Sequence, residues 1–432
     1  MTDQSKMPTI RMGWVVTFAG LAINLALGVL YAWSIFRSEI ERSILAGEDT
    51  AAGGFDWPLA AINDPYAVCT LVFAFSMIPA GKLRDKFGPR SAVILSAILV
   101  GLGFILISLS TSYWVWILGF GVLAGFGIGC GYASATPAAL AWFPPQKVGL
   151  IAGLVVAGFG LAPAYIAPLT NHMIDLYGLV STMQILGIAF FLALIILSFI
   201  LVQPPPGYVP PEKPGGSASK IQPVGESPPS DALKSKNFYL IWLAYFIGAG
   251  AGLMVISAIN SMAEASMAEY AFVAVAILAV GNGSGRPVAG ALSDYLGREN
   301  TLMVMFGFQA LLMFLAIAVV GIEGVHWLLV LIVAILIGFN YGSNLALFPA
   351  ITKDLWGIKN FGINYGLLFT SCGVGGLVFS RAYQMILAAT GSDAYAFLAA
   401  GILLLLGIGL LFYIKQELIK LKKELGIATE QQ

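Results

Sequence analysis

The sequence contains few charged residues for its length. Of its 432 residues, only 10% are Asp, Glu, Lys or Arg, whereas soluble domains average about 25%. The 22 basic and 22 acidic residues cancel, so no excess of one sign points to nucleic acid as a partner. Such a low charge content leaves too little polar surface for an ordinary soluble protein.

Residues that bind metals or perform catalysis are also scarce. The three cysteines, Cys69, Cys130 and Cys372, lie in apolar runs at unrelated spacings, which excludes a disulfide framework or a zinc site. The sequence has no Gly-x-x-x-x-Gly-Lys-Ser/Thr loop for nucleotide phosphates. It also shows no paired carboxylates and no nucleophile with a neighbouring base. We therefore expect neither an enzyme nor a bound cofactor, and no direct use of ATP.

The apolar residues form long runs that predict membrane spans. Hydrophobic residues make up 59% of the chain, and the mean hydropathy is +0.87. Since about 20 apolar residues cross the hydrocarbon core as a helix, the sequence predicts an all-α membrane protein. The first run is too long for a signal peptide and should remain as span one. The twelve predicted spans are residues 12–37, 62–83, 90–111, 113–142, 148–171, 178–202, 238–262, 270–293, 299–321, 325–352, 360–389 and 393–415.

The distribution of basic residues predicts the orientation of these spans. An even number of spans places both termini on the same side. With that side in the cytoplasm, 18 of the 22 Lys and Arg residues lie in cytoplasmic segments, which agrees with the positive-inside rule. We expect a multi-pass protein of the cell inner (plasma) membrane, surrounded by lipid and functional as a monomer, with both termini cytoplasmic.

An internal repeat divides the chain into two halves. Residues 81–90 (GKLRDKFGPR) recur as residues 290–298 (GALSDYLGR), and residues 142–153 recur as residues 355–366. Between the halves, residues 203–236 contain nine prolines together with Gly, Ser and Lys, a composition typical of a linker. The predicted units are a first lobe at 1–202, a cytoplasmic linker at 203–236, a second lobe at 237–416 and a cytoplasmic tail at 417–432.

The first pair of repeats resembles the Gly-x-Leu-x-Asp-x-x-Gly-Arg signature loop of the major facilitator superfamily. The resemblance covers nearly the whole chain and implies twelve helices in two pseudo-symmetric six-helix lobes around a central site. In each loop the glycine permits a tight turn, and the aspartate can accept hydrogen bonds from a neighbouring helix terminus. We expect a latch on the cytoplasmic side. Its predicted members are Arg84, Asp85, Gly88, Asp294 and Arg298.

Arg286 is the clearest functional feature within a predicted span. It lies eight residues before Asp294, about 12 Å from the cytoplasmic end of a core about 30 Å thick. A charge at this depth costs about 2.5–3.5 kcal/mol on insertion scales and usually faces a substrate path. The alternative is a structural ion pair, but no Asp or Glu lies near mid-depth in any predicted span. We therefore predict an anionic substrate on Arg286, with Asn282 one turn earlier as a second donor.

Within the superfamily, the chain resembles the monocarboxylate transporters and the related oxalate:formate antiporters. The matching segments are GWVV at 13–16, WFP at 142–144 and RP at 286–287. The resemblance implies that Arg286 binds the substrate carboxylate. Asn282 stands where animal monocarboxylate transporters carry an aspartate linked to proton movement, and Cys372 stands where the oxalate exchangers carry a lysine. A single fixed positive charge favours a monocarboxylate over oxalate.

Five aromatic residues are further candidates for the same site. Tyr31, Tyr132 and Tyr341 belong to spans one, four and ten, which line the central cavity in this superfamily. Their phenols can meet either a substrate or a neighbouring backbone carbonyl. Phe348 and Phe369 can form an apolar wall for a small methyl-bearing acid, or can simply pack in the core.

The sequence therefore predicts a secondary transporter of small monocarboxylates, of the lactate, pyruvate and acetate class, working with a proton by alternating access. One alternative is an oxalate:formate type exchanger. A second, of another class, is a non-transporting membrane receptor on the same fold. Because every Asp and Glu is predicted near a loop or helix end, the substrate itself is a candidate carrier of the proton.

Overall fold

The computed structural model of the protein describes residues 10–47, 54–210, 225–267, 271–320 and 326–424. In these ranges the regular structure is helical. A π-helical stretch, Ile117–Ala124, joins α5 to α6, and a 3₁₀ turn, Gly28–Ala32, follows α1. The α-helices are α1 (Ile10–Leu27), α2 (Trp33–Ala46), α3 (Asp64–Phe87), α4 (Pro89–Ser108), α5 (Tyr113–Trp116), α6 (Gly125–Leu140), α7 (Val148–Ile200), α8 (Pro229–Lys234), α9 (Lys236–Met267), α10 (Ala271–Leu296), α11 (Arg298–Val320), α12 (Trp327–Trp356), α13 (Phe361–Thr390) and α14 (Ala394–Glu424).

These helices account for the predicted twelve spans. In the described ranges, ten helical stretches are long and apolar enough to cross a membrane. One of them, Pro145–Ile200, has 56 residues and contains two spans, which meet at Gly178 with φ 74°. Helix α10 occupies the position of predicted span eight. The fold is the predicted all-α arrangement of twelve membrane helices in two lobes.

Some predicted boundaries were wrong. The loop expected at residues 172–177 is helical, since only Gly178 departs from helical geometry within α7. Helix α14 continues nine residues beyond the predicted end of span twelve, to Glu424. Its last turns bury Leu418 to 3% exposure, so packing against the bundle extends this helix past its most apolar stretch.

The bundle is apolar both inside and on much of its surface. Side chains such as Phe104 and Phe306 are fully buried between helices. Others, such as Phe18, Leu102 and Ile196, expose more than half of their surface. This is the distribution expected of helices that satisfy their own backbone hydrogen bonds and face lipid.

The described ends of the predicted linker, 203–236, dock on the bundle. Near its start, the Tyr208 hydroxyl donates to the backbone oxygen of Trp142 at 3.4 Å. Near its end, the Glu226 carboxylate accepts hydrogen bonds from the backbone N–H groups of residues 358 and 359, at 3.0 and 2.8 Å. The two ends of the linker therefore contact the two copies of one internal repeat, residues 142–153 and residues 355–366. The central part of this segment, 211–224, lies outside the described residues.

The two signature loops lie at one end of the bundle, which we call the signature end. Helices α3 and α4 meet there at Gly88, and α10 and α11 meet at Gly297. Both glycines have positive φ, 85° and 87°, a conformation that side chains with a Cβ rarely adopt. The turns predicted at these glycines are therefore present.

Candidate functional site

A small cavity lies between the two halves of the bundle. Its volume is about 50 Å³. Since a single water molecule needs roughly 10–15 Å³, only a few non-hydrogen atoms fit. No charged side chain of the described residues lines it. Its larger apolar lining residues include Phe73, Phe159, Leu253, Leu345 and Phe369. Its polar lining comes from Tyr66, Thr70, Tyr132, Tyr341 and Cys372.

Arg286 lies next to this cavity but is fully buried between α10 and α7. Its Nε and Nη2 donate to Oδ1 of Asn282, at 3.1 and 3.0 Å, and its Nη1 donates to the backbone oxygen of Val156. None of the ion pairs among the described residues includes this arginine. The three bonds use three of the five guanidinium N–H groups, so two have no partner among the described hydrogen bonds.

Glycines on the neighbouring helices make room for Arg286. A Cβ at Gly160 of α7 would lie 3.0 Å from the arginine Nε, and one at Gly153 would lie 2.3 Å from its backbone oxygen. On the other side, Cβ atoms at Gly281 and Gly285 would collide with backbone oxygens of α12, at 2.2 and 2.0 Å. Close helix packing therefore explains these two glycines and holds α10 firmly in place.

Three tyrosines from both halves meet beside the arginine. Tyr132 of α6, Tyr245 of α9 and Tyr365 of α13 are 2%, 0% and 1% exposed. Their hydroxyls interact with one another, and those of Tyr132 and Tyr245 lie near Cys372. Tyr132 and Cys372 are also within electrostatic range of Arg286. The hydroxyls of Tyr245 and Tyr365 have no partner of regular hydrogen-bond geometry among the described residues.

The structure brings together most of the residues predicted for the site. Tyr132, Tyr341, Phe369 and Cys372 line the cavity, and Arg286 and Asn282 are buried beside it. Phe348 does not line it. Its ring instead stacks on that of Tyr245, with centroids 3.9 Å apart. Phe348 therefore packs in the core, the second of the two roles considered for it. The side chain of Tyr31 lies outside the described residues.

The predicted latch residues lie at the signature end, where they join the two halves. Asp294 of α10 accepts hydrogen bonds from the backbone N–H groups of Gly149 and Leu150, at 2.9 and 3.0 Å, at the start of α7. The carboxylate of Asp85 correspondingly meets the backbone N–H groups of residues 362–363 at the start of α13. Each aspartate thus caps a helix of the opposite half, where the helix dipole favours negative charge.

Buried arginines hold both aspartates. Arg84 pairs with Asp85 at 2.6 Å, and Arg298 pairs with Asp294 at 2.6 Å and with Asp354 at 2.8 Å. Both arginines are 3% exposed. In addition, Nζ of Lys353 donates to the backbone oxygen of Leu140 across the two halves, at 3.0 Å. The signature end is therefore closed by charged and backbone contacts.

Sequence reasoning missed several residues of the site. Tyr66, Phe73 and Phe159 face the cavity, and Tyr245 and Tyr365 adjoin it. An aromatic residue in an apolar span carries no local sign of the direction in which it points. For Tyr365, its place in the repeat at 355–366 was one available signal. Two other polar residues buried within apolar helices, Asn24 and Asn344, hydrogen-bond neighbouring helices at Val155 and Gln309.

The family model of the Major Facilitator Superfamily matches residues 12–380 and 241–426. The chain belongs to this superfamily. The oxalate:formate antiporter of Oxalobacter formigenes is 25% identical to it over 361 residues, which cover 82% of this chain and 80% of that protein. Human monocarboxylate transporter 11 is 26% identical over 405 residues, covering 91% and 81%.

A solved structure shows the same fold. The Escherichia coli fucose:proton symporter (N162A variant) matches with a TM-score of 0.65 at 14% identity, over 92% of this chain and 98% of the symporter. Family and fold together identify a multi-pass membrane transporter for small molecules, not an enzyme. The resemblance to the major facilitator superfamily in the signature loops is confirmed.

Proposed function

We propose that this transporter carries small monocarboxylates of the lactate, pyruvate and acetate class, together with a proton, by alternating access. The observation that supports this most is Arg286, fully buried with two N–H groups still available and no carboxylate partner among the described ion pairs. A buried cation is costly without an anion. A substrate carboxylate supplies that anion.

The cavity favours a small substrate with one charge. Its volume of about 50 Å³ accommodates few atoms, and its walls are largely aromatic and aliphatic. One cation beside an otherwise uncharged lining balances one carboxylate and leaves the rest of the molecule in apolar contact.

The signature end is proposed to be the cytoplasmic side of the inner membrane. This orientation places both chain termini and the Lys- and Arg-rich loops in the cytoplasm. Asp85 and Asp294, with their arginine partners, then serve as a latch that holds the cytoplasmic side closed while the cavity receives substrate from the other side. The unit of transport in this proposal is a single chain.

The coupling proton is proposed to travel with the substrate, either on its carboxyl group or on a water or phenol beside Tyr132 and Tyr341, and not on a carboxylate of the protein. The buried described carboxylates Asp85, Asp294 and Asp354 lie at the signature end in ion pairs with arginine, not beside the cavity. A monocarboxylate that enters with one proton carries no net charge.

Uptake into liposomes containing only this protein tests the proposal. We expect saturable lactate uptake that an inward proton gradient accelerates and that moves no net charge across a solid-supported membrane. Absence of saturable uptake for every monocarboxylate tested would favour the receptor alternative. Steady electrogenic uptake would contradict transport of the proton on the substrate.

Similarity to the oxalate:formate antiporter makes an exchanger the second candidate. The residue at issue is Cys372, which lines the cavity within electrostatic range of Arg286. A second cation at this position would compensate a second carboxylate. We expect Cys372→Lys to raise the ratio of oxalate to lactate uptake by about tenfold or more, because one additional charge-assisted hydrogen bond contributes about 1.5–3 kcal/mol.

Cys372→Met, which adds length without charge, is the matched control and should leave the ratio near that of the wild type. Competition between labelled lactate and unlabelled oxalate measures both variants. An unchanged ratio in a folded Cys372→Lys protein would contradict contact between this position and the substrate. Strong oxalate exchange by the wild type would favour the exchanger.

A further inference from the structure

The linker is hydrogen-bonded to the turn between α12 and α13. We call residues 225–228 the docking segment. The backbone N–H of Ser227 donates to the backbone oxygen of Trp356 at 3.1 Å, at the end of α12. The backbone oxygen of Ser227 accepts from the side-chain amides of Asn360 and Asn364, at 3.4 and 3.1 Å. A single residue of the docking segment thus bonds both sides of this turn.

The same turn forms a binding site for the carboxylate of Glu226. Its two oxygens accept from two separate backbone N–H groups, those of residues 358 and 359, at 3.0 and 2.8 Å. Gly357 makes room for the carboxylate, since a Cβ there would lie 2.3 Å from one of these oxygens. Gly357 also has φ 77°, a conformation that residues with a Cβ rarely adopt. Glu226 is exposed at the surface, yet its carboxylate lies in a site shaped for it.

The next turn of the chain binds a carboxylate of the opposite half. Asp85 meets the backbone N–H groups of Gly362 and Ile363, and it must leave them when the halves separate. Glu226 belongs to the same half as α13. The helix that follows it, α8, contacts α9 and α13 and buries Ala232 completely. Glu226 is therefore a fixed neighbour of a helix terminus that Asp85 binds only in the closed state.

A second contact between the halves lies close to Glu226. Lys353, one turn before the end of α12, donates to the backbone oxygen of Leu140 in the first half at 3.0 Å. Glu226 is one of the acidic residues within electrostatic range of this lysine. Its negative charge favours the charged form of Lys353, which is the stronger hydrogen-bond donor. Both the Asp85 contact and the Lys353 contact thus adjoin the turn that Glu226 binds.

We propose that Glu226 is a positioning residue of the transport cycle, which holds the turn before α13 in the shape that receives Asp85 and so stabilises closure of the signature end. Ordering the backbone of a turn costs conformational entropy. A turn already ordered by the docking segment leaves less of that cost to the contact with Asp85. This role concerns the conformational step alone and holds for any substrate.

Hydrogen exchange and a spin-label distance, both measured on the full chain in proteoliposomes, test this role. In Glu226→Ala, the amides of residues 358 and 359 should exchange about tenfold faster, the effect of a lost charge-assisted hydrogen bond. Labels on the exposed positions 86 and 295 report on closure. Their distance should lengthen, with the ratio of open to closed protein rising about fivefold or more. Glu226→Gln, which can accept with only one oxygen, should lie between Glu226→Ala and the wild type.

Asp231→Asn is the matched control. It removes one negative charge from the same linker, but its exposed carboxylate accepts only from the Ser230 hydroxyl among the described hydrogen bonds. Both the exchange rates and the distance should stay at their wild-type values in this variant.

A double variant separates positioning from general stabilisation. If Glu226 acts through the contact with Asp85, Glu226→Gln should lengthen the distance in the wild-type background and have little further effect in Asp85→Asn. Additive effects of the two changes would overturn the proposal, because they would show that Glu226 stabilises the closed state elsewhere.

Faster exchange together with a longer distance that depends on Asp85 supports the proposal. Faster exchange with an unchanged distance overturns it, because the docking segment would then have no influence on closure. A shorter distance also overturns it and indicates that the charge of Glu226 repels Asp85. Unchanged exchange shows that Glu226 does not bind the turn in the membrane. Because neither measurement requires a substrate, each result can be read even if the proposed monocarboxylate function fails.

Discussion

Arg286→Ala should abolish saturable monocarboxylate uptake. The arginine is fully buried, and its contacts with Asn282 and Val156 leave two N–H groups for the substrate. Removing one partner of a buried charge pair costs about 3–5 kcal/mol. The ratio kcat/KM should therefore fall more than about 100-fold. Initial rates of labelled uptake into proteoliposomes, with protein amount and thermal stability matched, measure this effect.

Two further variants sharpen the test. Arg286→Lys keeps the charge but cannot reproduce the planar fork, so we expect it to be strongly impaired. Arg381→Ala removes an exposed arginine that contacts only the side chain of Gln384 among the described hydrogen bonds, and it should transport normally. Wild-type kinetics in Arg286→Ala would show that this residue does not contact the substrate.

Gly81→Ala should prevent closure of the signature end. A Cβ at Gly81 would lie 2.1 Å from the carbonyl carbon of Gly362 and 2.6 Å from the backbone nitrogen of Ile363. These are backbone atoms of the opposite half, so the overlap cannot be relieved by rotation of a side chain. Overpacking costs about 1–3 kcal/mol, which shifts the population toward separated halves by roughly 5- to 150-fold. Transport should fall because the closed state is part of each cycle.

Spin labels at positions 86 and 295 measure this shift, since both positions are exposed in the two signature loops. The distance between the labels should lengthen in Gly81→Ala. Gly409→Ala is the matched control, because a Cβ at that position meets no atom within 4 Å. An unchanged distance together with normal transport would show that the contact at Gly81 does not limit closure.

The sequence alone predicted the architecture of this protein. A membrane helix is recognised from the length of an apolar run, and the signature loops occupy corresponding positions in two halves of one chain. Both are local properties. For the same reason Arg286 could be identified before its surroundings were known, because a charge deep in an apolar span is unusual wherever its side chain points.

The direction of the aromatic side chains could not be predicted in this way. Phe348 and Phe369 lie on apolar helices, yet one stacks against Tyr245 and the other lines the cavity. Helices that are apolar on nearly all sides have no polar face from which the cavity-facing residues could be recognised.

The sequence by itself therefore determined the membrane fold, the repeated halves and the buried cation, because each depends on residues close together in the chain. Only the tertiary structure decided which tyrosines meet beside Arg286, how Gly160 makes room for it, and where Glu226 docks. Those arrangements depend on contacts between segments more than one hundred residues apart in the sequence. Their physical basis is the shape in which the helices pack, which hydrophobic pattern alone does not encode.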